Sequence, residues 1–221
     1  MPDNPKTVIV GLFPYKVSDQ KPKYLSRYAA VPDYHKYATE KLKNAADLIE
    51  QTFGCKCSVF VDNSPIPEVR AAATAGLGIK GDNGLLITPK YGTYVFIGEI
   101  VTDLERSCEN KFQTCLHCGR CKAACPVDFQ KEKCLSDVSQ KKGELSEEEK
   151  NSLKENGILW GCDICAESCP LNRKTANTYI SYFIEGYREI FHPDHDHKNR
   201  PYMWRKLDPI LRNYNILTEN Q

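Results

Sequence analysis

In the N-terminal part of the chain, apolar residues gather into short β-branched runs, and between those runs they recur at helical spacing. TVIVGLFPY, Thr7 to Tyr15, is a β-branched run with a proline near its end and predicts a buried strand. In VPDYHKYATEKLKNAADLIEQTFG, residues Tyr34, Tyr37, Ala38, Leu42, Ala45, Ala46, Leu48 and Ile49 follow a helical period that stops at Gly54. CSVFVD, Cys57 to Asp62, predicts a second strand, and PIPEVRAAATAGLG a short helix with a glycine at its C-terminus. GLLIT and TYVFIGEIV predict further strands. Strand and helix alternate, so residues 1 to about 105 read as an α/β unit.

After Cys108 the pattern changes to cysteine, lysine and glutamate, with little periodicity before SEEEKNSLKENG, which predicts an exposed charged helix. Without apolar periodicity this region is expected to need a cofactor to have a core. From Thr178, TYISYFIEGYREIFH predicts an amphipathic helix, and HPDHDHKNRPYMWRKLDPILRNYNILTENQ an irregular extension.

Composition narrows the class. Of 221 residues, 41% are hydrophobic and 27% charged, as in an ordinary soluble globular protein. No basic flank precedes an apolar run at the start, and no stretch approaches the roughly 18 apolar residues of a membrane span, so no membrane association is expected. Eleven cysteines, an odd number, without a leader and with Cys-x-x-Cys spacing argue for reduced, metal-binding thiols and a cytoplasmic location. The formal net charge is +1. Two oxidised 4Fe-4S clusters with their thiolates would each add about −2, leaving no global attraction to nucleic acid.

The densest chemistry is Cys115-x2-Cys118-x2-Cys121-x3-Cys125-Pro126. This is the bacterial ferredoxin run, in which three thiolates ligate one cubane and the fourth ligates another. A second motif must then exist, and Cys162, Cys165 and Cys169-Pro170 supply it, with Cys134 in place of the missing leading cysteine. Crossed ligation assigns Cys115, Cys118, Cys121 and Cys169 to cluster one, and Cys125, Cys134, Cys162 and Cys165 to cluster two. The alternative is a pair of zinc sites, but the Cys-x3-Cys-Pro ending occurs twice, in the arrangement two cubanes need. Cys55, Cys57 and Cys108 remain as small hydrophobes.

A two-cluster ferredoxin does not need the α/β unit in front. LSRYAAVPDYHKYATEKL, VDNSPIPEVRAAATAGLG, TPKYGTYVFIGEIVTDL, the Cys115 run and GCDICAESCPLNRK occur in the order and with the spacing found in epoxyqueuosine reductases, and the chain resembles that family over roughly residues 5 to 175. These are iron-sulfur and cobalamin enzymes of tRNA queuosine synthesis, related to reductive dehalogenases. The resemblance implies a base-off cobalamin, two 4Fe-4S clusters, an electron donor such as flavodoxin or ferredoxin, tRNA as a partner, and reduction of an epoxide to alkene and water. It maps the family's proton donor onto Asp62, a role that suits a carboxylic acid whose pKa is raised in a semi-buried pocket. Arg27, Tyr28 and His35, with Asp33 and Tyr34, lie in the block resembling the family's pocket, and Asn83 follows a glycine-rich turn suited to a large flat cofactor. Where relatives commonly read GWIGKN this chain reads GIKGDN, with Asp82 in place of a lysine, and it lacks the helical repeats that follow the clusters in many members. Both departures bear on the tRNA substrate more than on the cofactors.

The expected fold class is therefore α+β: an α/β N-terminal cobalamin- and substrate-binding unit (1–107), a bacterial ferredoxin-like double 4Fe-4S module (108–175), and a C-terminal helix and extension (176–221). The expected activity is that of an epoxyqueuosine reductase type of oxidoreductase. The alternatives are an electron-transfer protein that docks a redox partner and binds no corrin, and a corrinoid enzyme with a different substrate. HPDHDH is expected to be an exposed loop with some capacity for a divalent metal, and KNRPYMWRK combines cations with Tyr202 and Trp204 in a way that could pair phosphates and stack a base.

Overall fold

The computed structural model describes residues 1–107 and 112–219. Cys108, the expected start of the cysteine module, lies outside the described residues. The chain folds into two compact units, each built from two segments: Met1–Pro14 with Tyr34–Cys118, and Tyr15–Asp33 with Gly119–Gln221. Residues 15–33 and 176–221 both join the cysteine region, an arrangement that linear division at 107 and 175 does not capture.

The first unit is a three-stranded sheet with a helix on each face. Strand β1 (Thr7–Pro14) leads to helix α1 (Tyr34–Phe53), β2 (Cys57–Val61), α2 (Glu68–Thr74), the short strands β3 (Ile79–Lys80) and β4 (Leu86–Ile87), and β5 (Val95–Thr102). The sheet order is β1-β5-β2, with β5 antiparallel to both neighbours. β1 and β2 therefore run parallel to each other, with β5 inserted between them.

Alternation along β5 separates the two faces. Val95 and Ile97 join Val10, Leu12, Leu86 and the α2 residues Ala72 and Ala73 in one apolar cluster. On the opposite face α1 packs on β2 and β5 through its buried stripe of Ala38, Leu42 and Ala46. Gly11 and Gly98 are direct partners across β1 and β5. A Cβ at either would stand 2.9 or 2.5 Å from a methyl of Leu42, so this glycine pair lets the helix approach the sheet. Helix α1 ends as expected, at Gly54 in left-handed backbone (φ 65°).

The second unit is made of short helices: α3 (Arg120–Ala124), α4 (Leu135–Ser139), α5 (Glu147–Asn156), α6 (Ile164–Glu167), α7 (Ser181–Glu185) and α8 (Asp208–Thr218), with 3-10 turns between them. Helix α5 has a full capping box from Ser146 and Glu149 and closes on left-handed Gly157, as the sequence signals.

Three expectations fail here. The helix from Thr178 shrinks to the five residues of α7 and stops at Gly186, where a Cβ would lie 2.0 Å from Pro32 and the chain must pass close. The C-terminal extension is not irregular, since α8 buries Ile210, Asn213, Ile216 and Leu217. The cysteine region also has apolar cores of its own. Leu25, Leu159, Trp160, Phe191, Tyr202 and Ile210 belong to one, and Leu135, Val138, Leu145, Leu153, Ile158 and Ile216 to the other. Asn213 ties them together, its side-chain amide donating to the carbonyls of Ser139 and Leu159 at 2.8 and 2.9 Å. Among the described residues no helix is long and apolar enough to cross a membrane.

Candidate functional site

The loop leaving β2 carries the first group of reactive side chains. Asp62 and Asn63 both have positive φ (58° and 40°), a conformation uncommon for non-glycine residues that Asp and Asn adopt most readily and that neighbours here support. The neighbours are identifiable. The Asp62 backbone N–H donates to the Glu68 carboxylate at the start of α2. The Ser64 hydroxyl donates to Glu99 of β5 and accepts the Ile66 N–H at 3.0 Å.

Helix α1 begins against the same loop. Tyr34 Oη donates to Asp62 Oδ2 at 3.2 Å, and His35 Nε2 lies 3.3 Å from that oxygen. The Tyr34 ring is itself fixed, stacked on Phe96 of β5 at 3.8 Å on one contact and on His35 at 4.2 Å on another.

This geometry reverses the expected ionisation of Asp62. The hydrogen bond to His35 holds the carboxyl below its ordinary value against an opposing effect of burial, and Tyr34 adds to the lowering. The side chain is 56% exposed, not enclosed. The raised pKa lies six residues on instead: burial, and then the charges of Asp62 and Glu99, push Glu68 to about 7. Burial also pushes Glu99 up. Neither glutamate was singled out in the sequence, although a lone acid inside VFIGEIV, a strand buried along most of its length, was a usable signal.

Asn83 sits on the turn between β3 and β4. Its Oδ1 accepts the Leu85 N–H at 3.3 Å, while its Nδ2 is buried without a partner among the described residues. A buried amide donor in that state fits an acceptor on a bound group, such as a carboxamide of a corrin ring. Arg27 and Tyr28 lie in the other unit. The Arg27 guanidinium donates to the carbonyls of Ser18, Asp19 and Gln20. The Tyr28 hydroxyl is buried, which pushes its pKa up. The Arg27 guanidinium is thus engaged within the second unit.

The second group is a thiol pocket within the second unit. Cys134 precedes α4, Cys165 lies in α6 with Cys162 just before it, and Cys125 closes α3. Burial, then the neighbouring thiols, push Cys165 up to about 12, and burial pushes Cys162 up to about 11; each feels Cys125 and Cys134. Backbone N–H groups point at the sulfurs. Phe129 donates to Cys125 Sγ at 3.5 Å from left-handed backbone (φ 59°), and Ile164 donates to Cys162.

Four crowded, half-buried thiols with N–H donors fit an iron-sulfur cluster, which supplies the positive charge their thiolates need. They fit zinc less well. Among the described residues, the one group of ligating side chains whose ligand atoms all lie within 4.8 Å of one another is Asp82, Cys115 and His117. A zinc ion about 2.3 Å from each sulfur would draw the four thiols closer than that.

Cys115 and Cys118 belong to the first unit, and Cys121 and Cys169 to the second, so their grouping rests on the motif. Beside Cys115, His117 is bonded through Nδ1 to Asp82 at 2.8 Å and through Nε2 to Thr114 at 3.1 Å. HPDHDH forms no ligand cluster of that kind, since His197 is buried and held by the Tyr202 hydroxyl at 2.7 Å and the Pro193 carbonyl at 3.1 Å. In KNRPYMWRK, Arg200 is buried on the Ala30 carbonyl, whereas Trp204 is 57% exposed with Arg205 stacked on it at 3.8 Å.

Comparison with known proteins gives one answer. Residues 1–63 match the family model described as "Epoxyqueuosine reductase QueG, DUF1730". An epoxyqueuosine reductase of Lactococcus garvieae is 32% identical, over 96% of this chain and 68% of that protein. One of Gloeobacter violaceus is 37% identical over 67% of this chain, which spans 49% of its length. The solved epoxyqueuosine reductase of Streptococcus thermophilus superposes with a TM-score of 0.77 at 27% identity, covering 95% of this chain and 62% of that one. A further structure, an epoxyqueuosine reductase with a tRNA-Tyr epoxyqueuosine-modified stem loop, shares the fold with a TM-score of 0.78 at 23% identity.

Proposed function

We propose, since the chain belongs to the epoxyqueuosine reductase family, that it reduces the epoxide of epoxyqueuosine in tRNA, or of a related small substrate, to the alkene. The reaction consumes two electrons and two protons, breaks both carbon–oxygen bonds of the epoxide and releases its oxygen as water. The observation that carries this reading is Asp62, held in left-handed backbone and bonded to Tyr34 and His35, in the same chain as a buried four-thiol pocket. An electron carrier has use for the thiols alone and leaves the Asp62 network without a task.

The division of labour follows from the side chains. Cys125, Cys134, Cys162 and Cys165 would hold one 4Fe-4S cluster, and Cys115, Cys118, Cys121 and Cys169 the other, which would supply electron transfer from a donor such as flavodoxin or ferredoxin. Asn83 and His35 would line the pocket of a cobalamin, which when bound would supply the reducing chemistry at the epoxide. Tyr34 and His35 fix the direction of the Asp62 carboxyl, which passes a proton to the oxygen as its bond to carbon breaks. A structural neighbour, itself an epoxyqueuosine reductase, is solved with an epoxyqueuosine-modified tRNA stem loop, which supports tRNA as the substrate class here. A cytoplasmic setting keeps the thiols reduced.

The test is anaerobic reconstitution with iron, sulfide and cobalamin, followed by assay on an epoxyqueuosine-containing stem loop. About eight irons and one cobalt per chain are expected. Asp62→Asn is expected to lower kcat by about 10²- to 10⁴-fold with iron content unchanged. Full activity in that variant would remove Asp62 from the mechanism.

A further inference from the structure

Glu99 is the single acid of β5, and its side chain is fully buried. One of its oxygens accepts the Ser64 hydroxyl, while Oε1 is buried with no partner among the described residues. Glu68, at the first turn of α2, accepts the Asp62 backbone N–H and likewise buries Oε1 without a partner. The charged groups facing Glu68 are both acids, Asp62 from the loop after β2 and Glu99 from β5. Those facing Asp62 include His35, with the Tyr34 hydroxyl, from α1, and Glu68.

If both glutamates were ionised, two desolvated carboxylates would each bury an oxygen with no donor, beside a third negative charge at Asp62. One proton on the pair relieves this, since it neutralises one carboxylate and makes it a donor.

We propose that Glu68 and Glu99 keep one proton between them, and that this proton is delivered through Asp62 to the epoxide oxygen. This rests on the epoxide-reduction reading above. The ionisation order supports it: burial and its two acidic neighbours push Glu68 to about 7, whereas His35 and Tyr34 hold Asp62 low, so near neutral pH the stored proton is on Glu68 and Asp62 is ionised. Asp62 therefore has to receive a proton before or as it gives one. A substrate seated over Asp62 cuts off solvent, and a proton already inside the fold is the source that remains. The steps balance when one water bridges the two carboxyls: the Glu68 O–H breaks as the water takes its proton and passes another to Asp62, the Asp62 O–H breaks as the substrate O–H forms, and Glu68 recovers its proton from water after product leaves. The developing alkoxide is a far stronger base than either carboxylate, so the sequence runs downhill overall.

The experiment uses the full reconstituted chain and two readouts. Infrared titration is expected to show the carbonyl band of a neutral carboxylic acid that disappears as pH rises through about 7. The band should be absent in Glu68→Gln and should titrate at lower pH in Glu99→Gln, which removes a repelling charge. Gln at 68 retains an acceptor for the Asp62 N–H, and unchanged iron content and thermal unfolding would confirm an intact fold.

In turnover, Glu68→Gln is expected to lower kcat by about tenfold or more, with KM unchanged and with the fall in kcat above about pH 7 abolished. A neutral-acid band titrating near 7 that persists in Glu68→Gln, beyond that of Asp163, which burial pushes to about 6, or an unaltered pH profile, would overturn the proposal. Epoxide reduction by wild-type protein that lacks the band would also overturn it and leave the function standing. A band without epoxide reduction would sink the function and the delivery step together.

Discussion

In the first unit the reactive carboxyl sits on a loop in left-handed backbone, held by polar contacts from Tyr34, His35, Ser64, Glu68 and Glu99. In the second, the reactive thiols sit at or near the ends of helices of four or five residues, backed by apolar clusters built around Leu153 and Trp160. The difference matches the tasks proposed for the two sites. A proton donor must have its affinity for a proton set finely, and hydrogen bonds and like charges do that. A cluster ligand must hold its sulfur in place and keep water away, and buried side chains around short, rigid elements do that.

The comparison can be broken at three depths. Cys165→Ala removes a ligand from the thiol pocket and is expected to cost about four irons per reconstituted chain, read by iron assay and visible absorbance. Full iron content would dissolve the assignment of the second cluster. Leu153→Ala, at a position with 0% exposure, is expected to destabilise the protein by about 2–5 kcal/mol in chemical denaturation. A cost below about 1 kcal/mol would mean that the second unit does not depend on its apolar core.

His35→Ala is expected to cost stability by less than about 1 kcal/mol, because its contact with Asp62 is partly exposed. It should nevertheless raise the Asp62 carboxyl, measurable by carbon-13 titration of that group. The sign follows from the lowered folded value: its contribution to stability is present above the ordinary carboxylate pKa and is lost as pH falls, so the variant loses less on acidification. An unmoved Asp62 would leave Tyr34 as its determinant.

What was readable in the sequence was local. Thr7–Pro14, Tyr34–Phe53, Cys57–Val61, Glu68–Thr74 and Val95–Thr102 stand within a few residues of where apolar spacing put them, since each element's period lies within itself. The antiparallel sheet was not readable, because the insertion of β5 between β1 and β2 is a pairing between distant segments. Helix α8 was not predicted, although Ile210, Asn213, Ile216 and Leu217 are buried along it. Spacing marked the cysteines because their chemistry is written in neighbours. Asp62 was marked by its motif, but not its ionisation, which depends on Tyr34 and His35 from another element. Glu68 is fixed in its role by Glu99, a residue on a different strand, and no local pattern carries that relation.

Ile216 of α8 belongs to the apolar cluster against which Cys162 packs. That contact sets an order of events during synthesis. A ribosome will have made all eight cysteines before it makes residues 208–218, yet the wall around Cys162 is incomplete until helix α8 leaves the exit tunnel and docks. Iron and sulfide arriving before that helix docks would meet a pocket with one wall open. A chain stalled upstream of Asp208 would present the same thiols to oxygen and stray metals instead.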